Sequence, residues 1–144
     1  MNMAVYDLRG WVDLGLPSGK LWATENEKGY FNFHGAMYKF KDKLPTNNDW
    51  KELFANTNAQ VDLIQNGIVL TGTNGNSLFL PYSGRIDCKN NLFDANRFGY
   101  YWTFNLDKNG NTGSRWVLLC SGTMRTYYNL DWWSKYTVRL IKAK

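Results

Sequence analysis

One stretch of ten residues, Leu44-Pro45-Thr46-Asn47-Asn48-Asp49-Trp50-Lys51-Glu52-Leu53, sets a helix start inside a chain whose other signals are strands and tight turns. The Thr46 hydroxyl can accept from the amide three residues on, and Asp49 stands where a carboxylate reaches back and favours the positive helix end. Trp50, Leu53 and Phe54 then fall at the i, i+3, i+4 spacing of one buried face, which predicts an amphipathic helix from about Asn47 to Asn56. A short capped helix among many strands restricts the chain to the α+β class, with one or two short helices and long surface loops.

The strands can be read from alternation and turn chemistry. Trp11-Val12-Asp13-Leu14-Gly15-Leu16 ends at Pro17-Ser18-Gly19 before Lys20-Leu21-Trp22-Ala23 resumes, which predicts an opening hairpin. Residues 25–43 carry Tyr30, Phe31, Phe33, Tyr38 and Phe40 without an evident helical period and are expected to be irregular chain with short strands. Runs at 61–64, 68–70 and 77–80 are separated by Gln65-Asn66-Gly67 and Thr73-Asn74-Gly75-Asn76, whose residues tolerate the positive φ of tight hairpins, so a three-strand meander is expected. Gly72 is expected to mark a bulge in it.

Residues 81–98 are polar and read as a long functional surface loop. Gly99-Tyr100-Tyr101-Trp102-Thr103-Phe104 resumes a strand, Asp107-Lys108-Asn109-Gly110-Asn111 turns it, and Trp116-Val117-Leu118-Leu119-Cys120 has the continuous apolar run of a central strand covered on both faces. Tyr136, Val138 and Leu140 alternate with Thr137, Arg139 and Ile141 as a closing strand.

Composition narrows the class of function. At 144 residues the expectation is a single domain spanning 1–144. Hydrophobic residues at 44% against charged residues at 20% place it among folded globular chains. Aromatic content of 17%, with seven Trp and nine Tyr, is more ring than so small a body can hide, so some rings should face solvent. The net charge of +5 is scattered, apart from Lys39, Lys41, Lys43 and the tail Lys142 and Lys144, and no nucleic-acid module signature occurs; nucleic acid is not the expected partner. No apolar run approaches the roughly twenty residues needed to span a bilayer, so membrane insertion is not expected either. No leader is read at the start of the sequence, which does not separate a cytosolic protein from a mature secreted or cell-surface domain or a virion part; of these, cell-surface, secreted or virion is the expectation. Cys88 and Cys120 could be bridged or could be two buried thiols.

Five segments in register carry a resemblance. They are Val12-Asp13-Leu14-Gly15-Leu16-Pro17-Ser18-Gly19-Lys20-Leu21-Trp22-Ala23, the Leu-Pro-Thr helix start with Trp50 and Leu53, Gly72-Thr73-Asn74-Gly75-Asn76-Ser77-Leu78-Phe79-Leu80-Pro81, Gly99-Tyr100-Tyr101-Trp102, and Val138-Arg139-Leu140. Together they resemble the paralogous domains of Bacteroides and Fibrobacter, which are similar to the formylglycine-generating-enzyme type of C-type lectin fold. The resemblance implies a C-type-lectin-like domain: N- and C-terminal strands that pair, a twisted antiparallel sheet as base, and loops projecting from one face. It further implies an adhesin, a receptor-binding part of a phage fibre, or a variable protein of a diversity-generating retroelement, with the diversified positions before the last strand. Here that segment is 121–135.

The same segment has a physical claim to a site. Arg125, Tyr127, Tyr128, Asn129, Asp131, Trp132 and Trp133 combine rigid amphipathic rings, which give contact area at low entropy loss, with hydrogen-bonding groups. Tyr100, Tyr101 and Asn105 are expected to extend that face. A glycan or a protein ligand on a cell surface fits equally well. The competing readings are that the rings close the end of the sheet, one of Trp132 and Trp133 facing inward in any case, or that they are subunit contacts of a surface or virion assembly, which leaves a homo-oligomer open.

Catalysis is not expected. Enzymes of the resembled fold use a close copper-binding cysteine pair late in the chain, whereas here Cys88 and Cys120 are far apart in sequence and no thiol follows Ser121. His34 is the single histidine and is expected to be packed or hydrogen-bonded rather than a base. No metal-ligand spacing, calcium loop or phosphate loop occurs, so no cofactor is expected. The Glu-Pro-Asn and Gln-Pro-Asp sugar motifs of calcium-dependent lectins are also missing.

Overall fold

The computed structural model describes residues 10–106, 112–121, 123–128 and 133–144. It is mixed α+β, mostly strands with two short helices. Strand pairing is divided among three three-stranded sheets and one two-stranded ribbon, in place of the single base sheet expected.

The first sheet joins the two ends of the chain. β1 (Trp11–Val12) pairs with β2 (Leu21–Ala23), and β2 pairs on its other side with β11 (Ile141–Lys142). The opening hairpin and the pairing of terminal strands are therefore present. The Lys144 ammonium lies 2.8 Å from Asp13 Oδ2, and with the Gly15 amide it holds the Asp13 carboxyl below its usual pKa despite partial burial.

Helix α1 (Phe33–Phe40) occupies the segment expected to be irregular. Asn32 caps it, its side chain accepting from the Gly35 amide at 2.8 Å, and Phe33 and Ala36 face the core with Met37 and Phe40 packed beside them. The spacing 33, 36, 37, 40 is a helical stripe that Gly35 and the density of rings obscure. His34 lies exposed on this helix with its ring 5.6 Å from that of Phe33.

Helix α2 (Asn47–Ala55) starts as the sequence predicts. Thr46 Oγ1 accepts from the Asp49 amide, and Asp49 Oδ2 accepts from the Thr46 amide, closing the capping box. Asp49 also takes Lys20 Nζ at 2.7 Å, and Glu52 accepts from the Ser18 amide and hydroxyl, so the turn of the first hairpin is docked onto α2. Trp50 and Leu53 have no exposed surface, and the Trp50 ring meets Trp22 at 4.8 Å and Tyr101 at 5.5 Å. Burial of each such side chain contributes about 1.5–3 kcal/mol.

The meander is β3 (Thr57–Asp62), β4 (Gly67–Gly72) and β5 (Ser77–Pro81), all antiparallel. Its turns place Asn66 at φ 58° and Gly75 at φ 87°, the left-handed geometry the Asn-Gly signals imply. Gly72 is not a bulge: it pairs regularly with Thr57, and it is glycine because a Cβ there would lie 2.1 Å from the Leu14 carbonyl oxygen.

The region read as a long loop contains a ribbon, β6 (Arg85–Ile86) with β7 (Leu92–Phe93). The third sheet is β8 (Gly99–Leu106), β9 (Thr112–Cys120) and β10 (Met124–Tyr128), with β9 in the middle. The predicted 107–111 turn lies outside the described residues. β8 separates two core clusters by simple alternation. Tyr101 joins Trp22, Trp50, Leu70 and Leu80, while Tyr100 and Trp102 join Phe33, Leu44, Tyr136 and Val138.

The expected closing strand is regular only at β11. Ahead of it, extended chain from Lys135 to Leu140 is bonded to 23–31 on one side and to β8 on the other, through Phe31–Tyr136 at 2.8 and 2.9 Å and Thr137 N–Tyr100 O at 3.1 Å. Because 23–31 turns through Gly29 at φ 92°, it cannot present the continuous edge a ladder requires. Within this stretch Arg139 is 1% exposed and donates to three oxygens: Asn26 Oδ1 at 2.7 Å, Ala23 O at 3.0 Å and Phe79 O at 2.8 Å.

Candidate ligand-binding face

The ribbon β6–β7 and the chain ahead of Lys135 meet edge to edge. Ile86 exchanges backbone hydrogen bonds with Lys135 at 2.9 and 2.8 Å, while its neighbour Arg85 pairs with Phe93 across the ribbon. Positive φ at Asn90, Asp94 and Asn96 curls the surrounding chain, and the Asp87 carboxylate accepts from the Lys89 and Asn91 amides within the turn. This construction leaves Leu92 53% and Phe93 43% exposed on paired backbone, and Trp133, two positions before Lys135, is 54% exposed.

Beside Phe93 lies a polar network. Tyr100 donates its hydroxyl to Asp94 Oδ2 at 2.6 Å, and Arg85 stands 3.7 Å from the same carboxylate oxygen. The Arg85 guanidinium lies over the Phe93 ring at 5.1 Å and over the Tyr100 ring at 5.8 Å. Burial, reinforced by the bond to Asp94 and opposed by Arg85, pushes the Tyr100 hydroxyl up to about 12. It is thus a neutral hydrogen-bond donor at any physiological pH.

Several residues expected on the face are elsewhere. Tyr101 has no exposed surface and donates to the Pro81 carbonyl at 2.9 Å, so it is core. Tyr100 is 7% exposed, its ring stacked 5.7 Å from Tyr136, and it supports the face from below. Asn105 accepts from the Asn47 amide at 3.0 Å and serves the first turn of α2. The two tyrosines are misplaced for one reason, namely that β8 is covered on both faces at Tyr100 and Tyr101. Arg125 is exposed on β10, opposite Leu119. Tyr127 and Tyr128 complete β10, their backbones paired with Val117 and Trp116. Asn129, Asp131 and Trp132 lie outside the described residues, and Trp133 is exposed.

Arg85, Leu92, Phe93 and Asp94 were not singled out by sequence reasoning. Their signal is the apolar pair Leu92-Phe93 inside a polar loop with a basic residue seven positions earlier, too slight to separate from a buried anchor. Cys88 is a free, exposed thiol, which overturns both the bridge to Cys120 and the buried alternative for Cys88. Among the described residues no group of three metal-ligating side chains occurs, and no helix is long and apolar enough to cross a membrane. No protein-family model, no curated protein and no solved structure matches this chain.

Proposed function

We propose that this chain is a non-enzymatic ligand-binding module of the adhesin or receptor-binding kind, C-type-lectin-like in arrangement, which presents an aromatic surface to a glycan or protein ligand on a cell surface. The observation that carries the reading is the exposure of Phe93, on a ribbon pinned by the Ile86–Lys135 pairing, together with that of Trp133 two positions before Lys135. Rings held on ordered backbone lose little entropy on contact, and they stack on the apolar face of a sugar or seat in a protein epitope. The Arg85–Asp94 pair supplies hydrogen-bonding groups beside Phe93, over whose ring the Arg85 guanidinium lies. The pairing of β11 with β2 supports the C-type-lectin-like arrangement, in which terminal strands lie together.

The test is the double variant Phe93→Ala with Trp133→Ala, compared with wild type on a glycan array and in pull-downs from host-cell surface extract. Binding should fall at least about tenfold, with a thermal midpoint lowered by no more than a few degrees, about what exposed positions allow. Undiminished binding refutes the assignment of the face. A stable oligomer in sedimentation that the double variant dissolves replaces the reading with an assembly domain.

A further inference from the structure

A groove of about 620 Å³ runs between the β1–β2 hairpin, the 24–28 turn and α1, and it shares no residue with the face described above. The volume is that of an ordinary small-ligand cleft, about 300–1,000 Å³. Three rings line it: Trp11, Phe31 and Phe40. Two carboxylates, Glu25 and Glu27, and two ammonium groups, Lys28 and Lys39, complete a lining with balanced formal charge. Among the described residues neither glutamate takes part in an ion pair.

The groove is built on fixed backbone. Ala23 N bonds to Leu140 O, Thr24 N to Gly10 O, and Glu27 N to Val138 O, each at 2.9 Å, and Phe31 N bonds to Tyr136 O at 2.8 Å. From below, Arg139 grips Ala23 O and Asn26 Oδ1. Since the guanidinium only donates, the Asn26 oxygen must face it, and Nδ2 of this groove-lining residue keeps both protons unclaimed among the described residues. The groove therefore offers acceptors on fixed backbone, an oriented amide donor at Asn26 and apolar ring surface together.

The electrostatics select the ligand. Lys39 Nζ already lies 5.6 Å from the Phe31 centroid and Lys142 Nζ 4.7 Å from that of Trp11, so the cation sites of these two rings are taken by the protein's own lysines. An added cation is drawn to the two glutamates and repelled by the lysines, and an added anion the reverse, so in a lining of balanced charge neither sign gains net attraction. A neutral polyol meets neither difficulty, because its hydroxyls donate to carboxylates and accept from ammonium and amide groups while its C–H face lies on a ring. We infer that this groove is a second binding site, for an uncharged saccharide.

The test titrates the chain with a panel of neutral oligosaccharides (cello-, malto-, manno- and N-acetylchito-oligomers) and with sialylated and glucosamine oligomers of similar length, followed by calorimetry. At least one neutral oligomer should bind, more tightly than its charged counterparts. Glu27→Gln, which keeps the shape of the side chain, should weaken it by about tenfold to a hundredfold, the loss of a charged hydrogen bond. Glu25→Gln reads the same effect independently of any local change at Glu27. The Phe93→Ala, Trp133→Ala variant should bind it as wild type does, which separates this site from the proposed face. The inference is overturned if no neutral oligomer binds, if a charged one binds better, or if neither glutamate variant weakens the binding.

Discussion

Replacing Arg139 by Met keeps a side chain of similar reach and removes the guanidinium that joins the closing segment to Ala23, Asn26 and Phe79. Exchange of a whole buried ion pair for apolar groups is often neutral, but here two of the abandoned acceptors are main-chain carbonyls that no mutation can delete. Each oxygen left without a donor costs about 1–3 kcal/mol. Allowing for partial rescue by water and local relaxation, the three together should remove about 3–5 kcal/mol, a large share of the roughly 5–15 kcal/mol of a domain this size. Arg139→Lys keeps the charge and loses the fork, and should fall between wild type and Met. Urea unfolding followed by tryptophan fluorescence measures both, with an unchanged m value confirming that the same two states are compared. A Met variant within about 1 kcal/mol of wild type would refute the account of Arg139 as the tie between these three segments.

Two further outcomes are expected. Gly72→Ala drives a methyl into the Leu14 carbonyl and should destabilise by about 2–4 kcal/mol, whereas Gly75→Ala, whose Cβ meets nothing within 4 Å, should lose only about 1 kcal/mol through its positive φ; equal losses would remove the packing argument. Because the Tyr100 hydroxyl is held protonated to about 12 while unfolded chains ionise near 10, its contribution is complete below the lower value and lost as pH rises towards the upper one. With a discount for solvent screening that loss is about 1–2 kcal/mol. Chemical denaturation across this range should show a shallower decline for Tyr100→Phe than for wild type, and parallel declines would contradict the assignment.

What could be read in the sequence was local. The capping box at Thr46 and Asp49 and the turns at Asn66 and Gly75 depend on neighbours within three residues, so the chain states them directly. The missed helix was also local, since Asn32 and the 33, 36, 37, 40 stripe were legible, but Gly35 and the crowd of rings resembled irregular chain. The errors at Tyr100 and Tyr101 are of another kind. Alternation shows that two neighbours point opposite ways, and it cannot show that both sides of β8 are covered by segments far away in sequence. The face suffers the same limit, for Trp133 could be singled out from its neighbours in sequence, but Phe93 becomes significant only once Ile86 is found beside Lys135.

The pairing of β2 with β11 bears on how the chain acquires its structure. Arg139 reaches back 116 residues to Ala23, so the first hairpin waits with an open edge and an unfilled slot while nearly everything between is assembled. Closing so long a loop is entropically unfavourable until other contacts have shortened it, which makes this a late step and the whole process slow for a chain of this length. During synthesis the nascent chain should remain protease-sensitive at residues 20–30 until the segment around Arg139 has left the ribosome.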